Sequence, residues 1–157
     1  MSKRWDNEFV IEHSQRLLES FAHWTSRSLM PSSSSSSARE QAQQLYNAPF
    51  VVVSHGTEDD PIFNYGNAQA LALWSLDWDA FTSMASRQPT KGEEQPERAE
   101  MLAVAKANGY FEGYVGDRST GNGRRFRMED GLIWTVLDEA GNYCGQAATF
   151  SQYHFLT

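Results

Sequence analysis

Val10, Leu17, Phe21 and Trp24 recur at helical spacing in "NEFVIEHSQRLLESFAHWTSRSL", and Ile11 and Leu18 widen the stripe to roughly one third of the helix surface. The pattern predicts an amphipathic helix over residues 7–29, whose stripe either docks on the chain's own sheet or pairs two copies. Pro31 stops it, and Ser32 to Ser37 offer no apolar side chain to bury, so residues 31–37 read as a flexible connector. Ser37 and Glu40 have capping-box spacing, predicting a short helix in "AREQAQQLYNA" that ends where Pro49 restricts Ala48. These signals divide the chain into an N-terminal helix (1–30), a linker with a short helix (31–47) and a main domain (48–157).

Within the main domain the period changes. "PFVVVSH" is a β-branched run, and "PIFNYGN" is a second extended stretch beyond the acidic "GTEDD" turn, so the two predict a hairpin. Asn67 and Asp77 are N-cap residues for two short helices, the second carrying Trp78 and Phe81. "PERAEMLAVAKANGY" is a longer helix, with proline and glutamate early, Lys106 late and an Asn-Gly stop. "YFEGYVGDRS", "RRFRMEDGLIWTVLD" and "YCGQAATFSQYHFL" then form an antiparallel meander. The order of strand, strand, short helices, longer helix and three strands is that of a PAS domain. The expected fold is α+β, a five-stranded antiparallel sheet with helices on one face. Leu132, Trp134 and Val136 alternate with Ile133 and Leu137, so this strand is apolar on both faces and the N-terminal helix is the candidate cover for the second.

Composition narrows the function classes. A 40% hydrophobic content against 21% charged residues describes a chain that folds as a globule. Residues 1–47 balance five basic against five acidic side chains, whereas residues 48–157 carry eight basic and fifteen acidic ones. Such an acidic body argues against nucleic acid as a partner, because that partner requires a continuous basic surface. Cys144 is the single cysteine, and neither a signal peptide nor a membrane-spanning apolar run is visible, so the expected location is cytoplasmic, with no membrane partner.

"DPIFNYGNAQALALW", Arg87, "PERAEMLAVAKANGYFEGYVGDRSTGNGRRFRMEDGLIWTV" and "GNYCGQAATF" together resemble the MEKHLA domain. This is a PAS-like family found alone in bacteria and at the C-terminus of class III homeodomain leucine-zipper proteins in plants. The resemblance covers residues 49–155, and "HSQRLLESFAHWTSRSL" also looks like the leader of the stand-alone bacterial type. The chain has no homeodomain or zipper and lacks the six-letter string that names the family, so no plant-style role in transcription carries over. The resemblance implies a sensory or binding domain for a small molecule or a partner protein, in a family with no settled ligand or reaction.

The stretch "GDRSTGNGRRF" places arginines around two glycines. A phosphate-binding loop needs its glycines between a strand and a helix N-terminus, and these join two strands. A hairpin with left-handed backbone near Asn122 and Gly123 is the better reading. With a two-residue loop, Arg118 would face Arg127 in solvent. With a three-residue Gly121-Asn122-Gly123 loop, Arg118 would face Phe126 and share one face with Tyr114, Met128 and Trp134. The second register is predicted, because an apolar wall beside a tyrosine and an arginine suits a ligand cavity, leaving Arg124 and Arg127 wet. Arg118, Arg125 and Arg87 match family positions, with Arg87 expected at the cavity rim. Trp74 and Gln146 complete the candidate ligand-binding set of Trp74, Arg87, Tyr114, Arg118, Arg125, Phe126, Trp134 and Gln146.

No cofactor is identified. Heme in a PAS domain generally needs a helical histidine, and none occurs between His55 and His154. Photoactive flavin chemistry needs a cysteine on the helical side, whereas Cys144 falls on the last strand; flavin without an adduct stays open. His13, His23, His55 and His154 show no metal-ligand spacing, and Glu58, Asp59 and Asp60 lack the alternation of a calcium loop. No nucleophile, base and orienting group are visible together, which ranks a small enzyme in the same cavity, or a pure dimerisation module through residues 7–29, behind a sensor.

Overall fold

The computed structural model describes residues 4–30 and 36–156. Most of the serine connector, at residues 31–35, lies outside the described residues. The expected helices form where their capping residues permit. α1 (Glu8–Thr25) starts at Asn7, whose side chain accepts from the Val10 N–H, and closes on Ser26 with φ 59°. α2 (Ala38–Tyr46) carries both hydrogen bonds of the Ser37/Glu40 capping box. β1 (Val51–His55) and β2 (Phe63–Gly66) form the first hairpin. α3 (Ala68–Trp74) and α4 (Trp78–Phe81) begin at Asn67 and Asp77. α5 (Gln95–Asn108) follows a single 3-10 turn and ends at Gly109, φ 92°. A β-carbon at Gly109 would sit 2.1 Å from the Trp24 ring, so glycine there serves both the helix stop and the close approach of α1.

The meander is β3 (Tyr110–Ser119), β4 (Arg125–Leu137), β5 (Tyr143–Phe150) and β6 (Gln152–Leu156). The sheet order is β2-β1-β5-β4-β3 and every pairing is antiparallel. β6 continues the pairing of β5 along β4, since Leu132 faces Thr149 and Glu129 faces Gln152 in the same register. They are one strand bent at Ser151, so the five-stranded expectation describes the sheet.

Arg118 faces Phe126 and Asp117 faces Arg127, the three-residue-loop register. One part of the expected face fails. Tyr114, Phe126 and Met128 pack in one core, together with Ile133, whereas Trp134 packs in the other with Leu132 and Val136. The cause is a change of parity between Met128 and Leu132. Asp130 has φ 55°, its neighbour strand has Gly113 at φ 79°, and the β3/β4 register shifts on either side of Tyr114. Each bulge adds one residue and exchanges the faces beyond it. Phe150 and Tyr153, on either side of the Ser151 bend, likewise share the first core despite their odd spacing.

The sheet therefore carries two cores. α3, α4 and α5 cover the inner face, where Trp74 and Phe81 pack with Val53, Phe63, Phe126 and Ile133. α1 and α2 cover the outer face, where Leu17, Phe21 and Leu45 pack with Val52, Trp134 and Val136. Polar bonds fix the position of α1: the Trp134 indole donates to the Leu17 carbonyl at 3.1 Å, the Trp24 indole to the Thr135 carbonyl at 2.8 Å, and Leu137 N–H to Ser20 Oγ at 2.8 Å. Fully buried Asn67 connects the layers, accepting from Val52 N–H and Ala70 N–H and donating to the Leu45 and Phe50 carbonyls. That is a complete set of bonds for a primary amide.

Trp134 is fully buried, so Trp134→Ala should cost about 3–5 kcal/mol in chemical denaturation. A chain beginning at Ala48 should aggregate or unfold, because it bares the outer face; a soluble, cooperatively folding product in light scattering and calorimetry would contradict the covering role of α1. His13 gives a pH dependence. It is buried on α1, and Ser54, which donates to Asn64 Oδ1, accepts from His13 Nε2–H at 2.9 Å. Burial, then the Arg16 charge, pushes its pKa from 6.5 down to about 4. The unfolded chain thus binds this proton more readily than the folded one, so stability is complete above about pH 6.5 and is lost as pH falls toward 4. The loss is about 3 kcal/mol at its limit. His13→Gln should flatten that slope in denaturant titrations run across the interval, and an unchanged slope would show that His13 is not its source.

Candidate ligand-binding cavity

A cavity of about 50 Å³ lies between the inner sheet face and the helices. Val53, Phe63, Leu102, Ile133, Ala148 and Phe150 give it an apolar wall. Its polar lining comes from five elements and one loop: His55 ends β1, Trp74 ends α3, Ser86 lies before α5, Arg98 is on α5, Tyr114 and Arg118 are on β3, and Gln146 is on β5. Gln146 Nε2 donates to the Leu102 carbonyl at 2.9 Å, tying the cavity floor to α5.

The cationic groups are the unusual feature. Arg118 is only 6% exposed, donates to its neighbour's carbonyl, Asp117 O, at 2.8 Å, and lies over the Tyr114 ring at 5.3 Å. Arg98 donates to Ser86 Oγ at 3.1 Å. Among the described residues neither guanidinium forms an ion pair, although Arg87, Arg125 and Arg127 do. Burial, then the proximity of Arg98, pushes Arg118 down to about 9, and burial pushes Arg98 down to about 10. Both shifts record a charge removed from water that nearby carboxylates, Asp60 for Arg98 and Glu94 and Glu97 for Arg118, offset only in part and without an ion pair. Two more buried groups on the lining lack a protein partner, Trp74 Nε1–H and His55 Nε2. His55 Nδ1 lies 3.1 Å from the Gly56 carbonyl, which assigns it the proton and leaves Nε2 as an acceptor; burial lowers this histidine's pKa.

Four of the eight sequence-predicted residues, Trp74, Tyr114, Arg118 and Gln146, meet at this cavity. Phe126 stands behind it, edge-on to Trp74 at 5.3 Å. Trp134 does not reach it, being on the outer face beyond the bulge. Arg87 is not a rim cation: it is exposed and held by Asp60 of the acidic turn through two bonds of 2.9 and 3.0 Å. Arg125 is drawn away to Ser119 and Glu94. Arg127 pairs with Asp117, while exposed Arg124 lies over Phe155.

Sequence reasoning missed Arg98 and His55. The signals were present, since Arg98, Leu102 and Ala105 recur at positions i, i+4 and i+7 on the buried stripe of α5, and His55 continues the Val51, Val53 alternation. Cys144 lies on the outer side, packed against the α1 core with its Sγ 3.4 Å from the Val136 carbonyl. A flavin ring does not fit a cavity of about 50 Å³, since pockets for ligands of that size run to roughly 300–1,000 Å³. Among the described residues there is no cluster of histidine, cysteine and carboxylate groups able to hold a metal, and no helix is long and apolar enough to cross a membrane.

The family model of the MEKHLA domain matches residues 11–155. Among solved structures, the PAS domain of a protein from Colwellia psychrerythraea superposes with a TM-score of 0.63 at 10% identity, covering 76% of this chain and 96% of that one. A light-oxygen-voltage domain gives 0.57 at 16% identity, over 74% and 84%. The LOV protein of Rhodobacter sphaeroides gives 0.56 at 12%, over 70% and 61%. At these identities the likeness is one of fold. No curated protein matches the chain.

Arg118 and Trp74 should separate in stability measurements. Trp74→Ala should cost about 3–5 kcal/mol, as a large truncation within an aromatic cluster. Arg118→Met should be neutral or stabilising in the free protein, because it removes an uncompensated charge and keeps an apolar stem. A loss above about 2 kcal/mol in urea titration would instead make Arg118 a structural residue.

Proposed function

The chain belongs to the MEKHLA domain family, and on that premise we propose that it is a PAS-like sensory domain that binds a small molecule in the cavity between sheet and α5. The observation that supports this most is the pair of arginines, Arg118 buried and Arg98 half-buried, lining a cavity whose walls are largely apolar. Apolar walls with a few convergent polar groups are the usual make-up of a small-molecule site. Uncompensated charges that weaken the free protein are retained where a ligand makes use of them. The same strands carry the cavity on one face and α1 on the other, so a change at the inner face has a direct route to the N-terminal helix. Pairing of two copies through residues 7–29 would use the outer side of α1, where Phe9 is 63% exposed, since Leu17 and Phe21 are taken up by the chain's own sheet.

The test is a thermal-shift screen of the full chain against small fragments of varied charge. A ligand at one hundred times its Kd adds about 2.7 kcal/mol, or about 5–10 °C for a domain of this size. Saturable shifts abolished by Ala148→Phe, which fills the cavity, support the reading. A set in which nothing shifts the melting temperature, or in which Ala148→Phe leaves every shift intact, contradicts it.

A further inference from the structure

Arg98 and Arg118 line not only the inner cavity but also an outer groove between α5 and β3, formed with Glu94, Glu97, Met101 and Arg127. They therefore stand at the wall that separates the cavity from solvent. Glu94 is already engaged by Arg125 at 3.4 Å, and Arg127 by Asp117 at 2.7 Å, so the groove's other charges are largely spoken for. Glu94, and after it Glu97, acts to raise the Arg118 pKa, and neither forms an ion pair with it. The cavity lining keeps two guanidinium groups without an ion pair and the unpartnered Trp74 indole N–H as donors, beside His55 Nε2 as an unpartnered acceptor.

We propose that this constellation binds the carboxylate of a short-chain organic acid, which enters between α5 and β3 and places its alkyl tail against Leu102, Ile133 and Phe150. The proposal rests on the cavity-binding reading above and names the ligand class. Three observations select it. A planar guanidinium presents paired N–H groups that match the two oxygens of a carboxylate, and two such groups supply the charge that a buried anion requires. Leu102, Ile133, Ala148 and Phe150 form an apolar side of the lining, which suits an alkyl tail and not a fully charged inorganic ion. The volume limits the length: a cavity of about 50 Å³ lies far below the roughly 300–1,000 Å³ of pockets for drug-sized ligands, so the acid is a short one.

Titration calorimetry of the full chain with sodium propionate and sodium butyrate, against propionamide, butyramide and sodium sulfate at constant ionic strength, tests this. The Trp74 indole cross-peak in 15N–1H spectra is followed in parallel. The carboxylates should bind saturably and at least tenfold tighter than the amides, and should move the Trp74 indole resonance. Arg118→Met and Arg98→Met should each weaken butyrate at least tenfold while retaining a cooperative thermal transition. Trp74→Phe, which keeps an aromatic ring but removes the donor together with part of the ring volume, should weaken it several-fold. Amides that bind as tightly as acids, with Arg118→Met indifferent, would overturn the acid and leave the small-molecule reading standing. Sulfate binding as tightly as propionate, with the same arginine dependence, would replace the organic acid with an inorganic oxyanion. Absence of binding by every probe would overturn the acid, whereas the wider reading falls only if the fragment screen also fails.

Discussion

Over Leu132 to Val136 the interior strand β4 is buried on both faces, and this double burial governs the rest of the structure. A sheet with one apolar face needs one helical layer, but this sheet needs two. The inner layer comes from the helices inserted between hairpin and meander, and the outer from α1 and α2. Thr135 shows how closely the layers are joined. Its carbonyl accepts from Trp24 of α1, its hydroxyl donates to the Ala105 carbonyl of α5, and its strand neighbour Gln146 donates to Leu102 of the same helix. The helix that carries Arg98 and the helix that covers the opposite face are thus bonded to one strand position.

The bend line through Gly113, Asp130 and Ser151 gives the sheet its second property. On the hairpin side of the line, Tyr114, Arg118, Phe126 and Met128 face inward; on the other side, Phe111, Ile133 and Thr135 do. Without it, a tryptophan would replace isoleucine on the cavity wall and α1 would lose the Trp134 anchor. The bulges therefore let one sheet serve a cavity and a helix-docking face with the same strands. Against the few kcal/mol by which a domain of this size is stable, the two unpaired guanidinium groups are a considerable burden. They stay charged because their shifted pKa values, about 9 and about 10, still lie above neutrality.

Much of this fold was legible. Caps at Asn67 and Asp77, the Ser37/Glu40 box, the Asn-Gly helix stop and the hairpin register around Gly121 to Gly123 each follow from local chemistry that tertiary contacts reinforce. The site was half legible, for a physical reason. Tyr114, Arg118, Trp74 and Gln146 are placed by strand alternation and helix ends, which a sequence records. Trp134 was misplaced because a single left-handed residue, Asp130, reverses parity; its neighbour Gly131 and the facing Gly113 were the available signal. Arg87 and Arg125 went elsewhere because Asp60 and Glu94, distant in sequence, are adjacent in space.

A high-resolution electron-density map of the cavity in crystals of the full chain grown with butyrate tests the central claim most directly. The account predicts planar carboxylate density between the Arg98 and Arg118 guanidinium groups, within hydrogen-bond distance of both, with the tail toward Ile133. A map in which Glu97 turns inward to pair with either arginine, or in which side chains close the space between them, would contradict it.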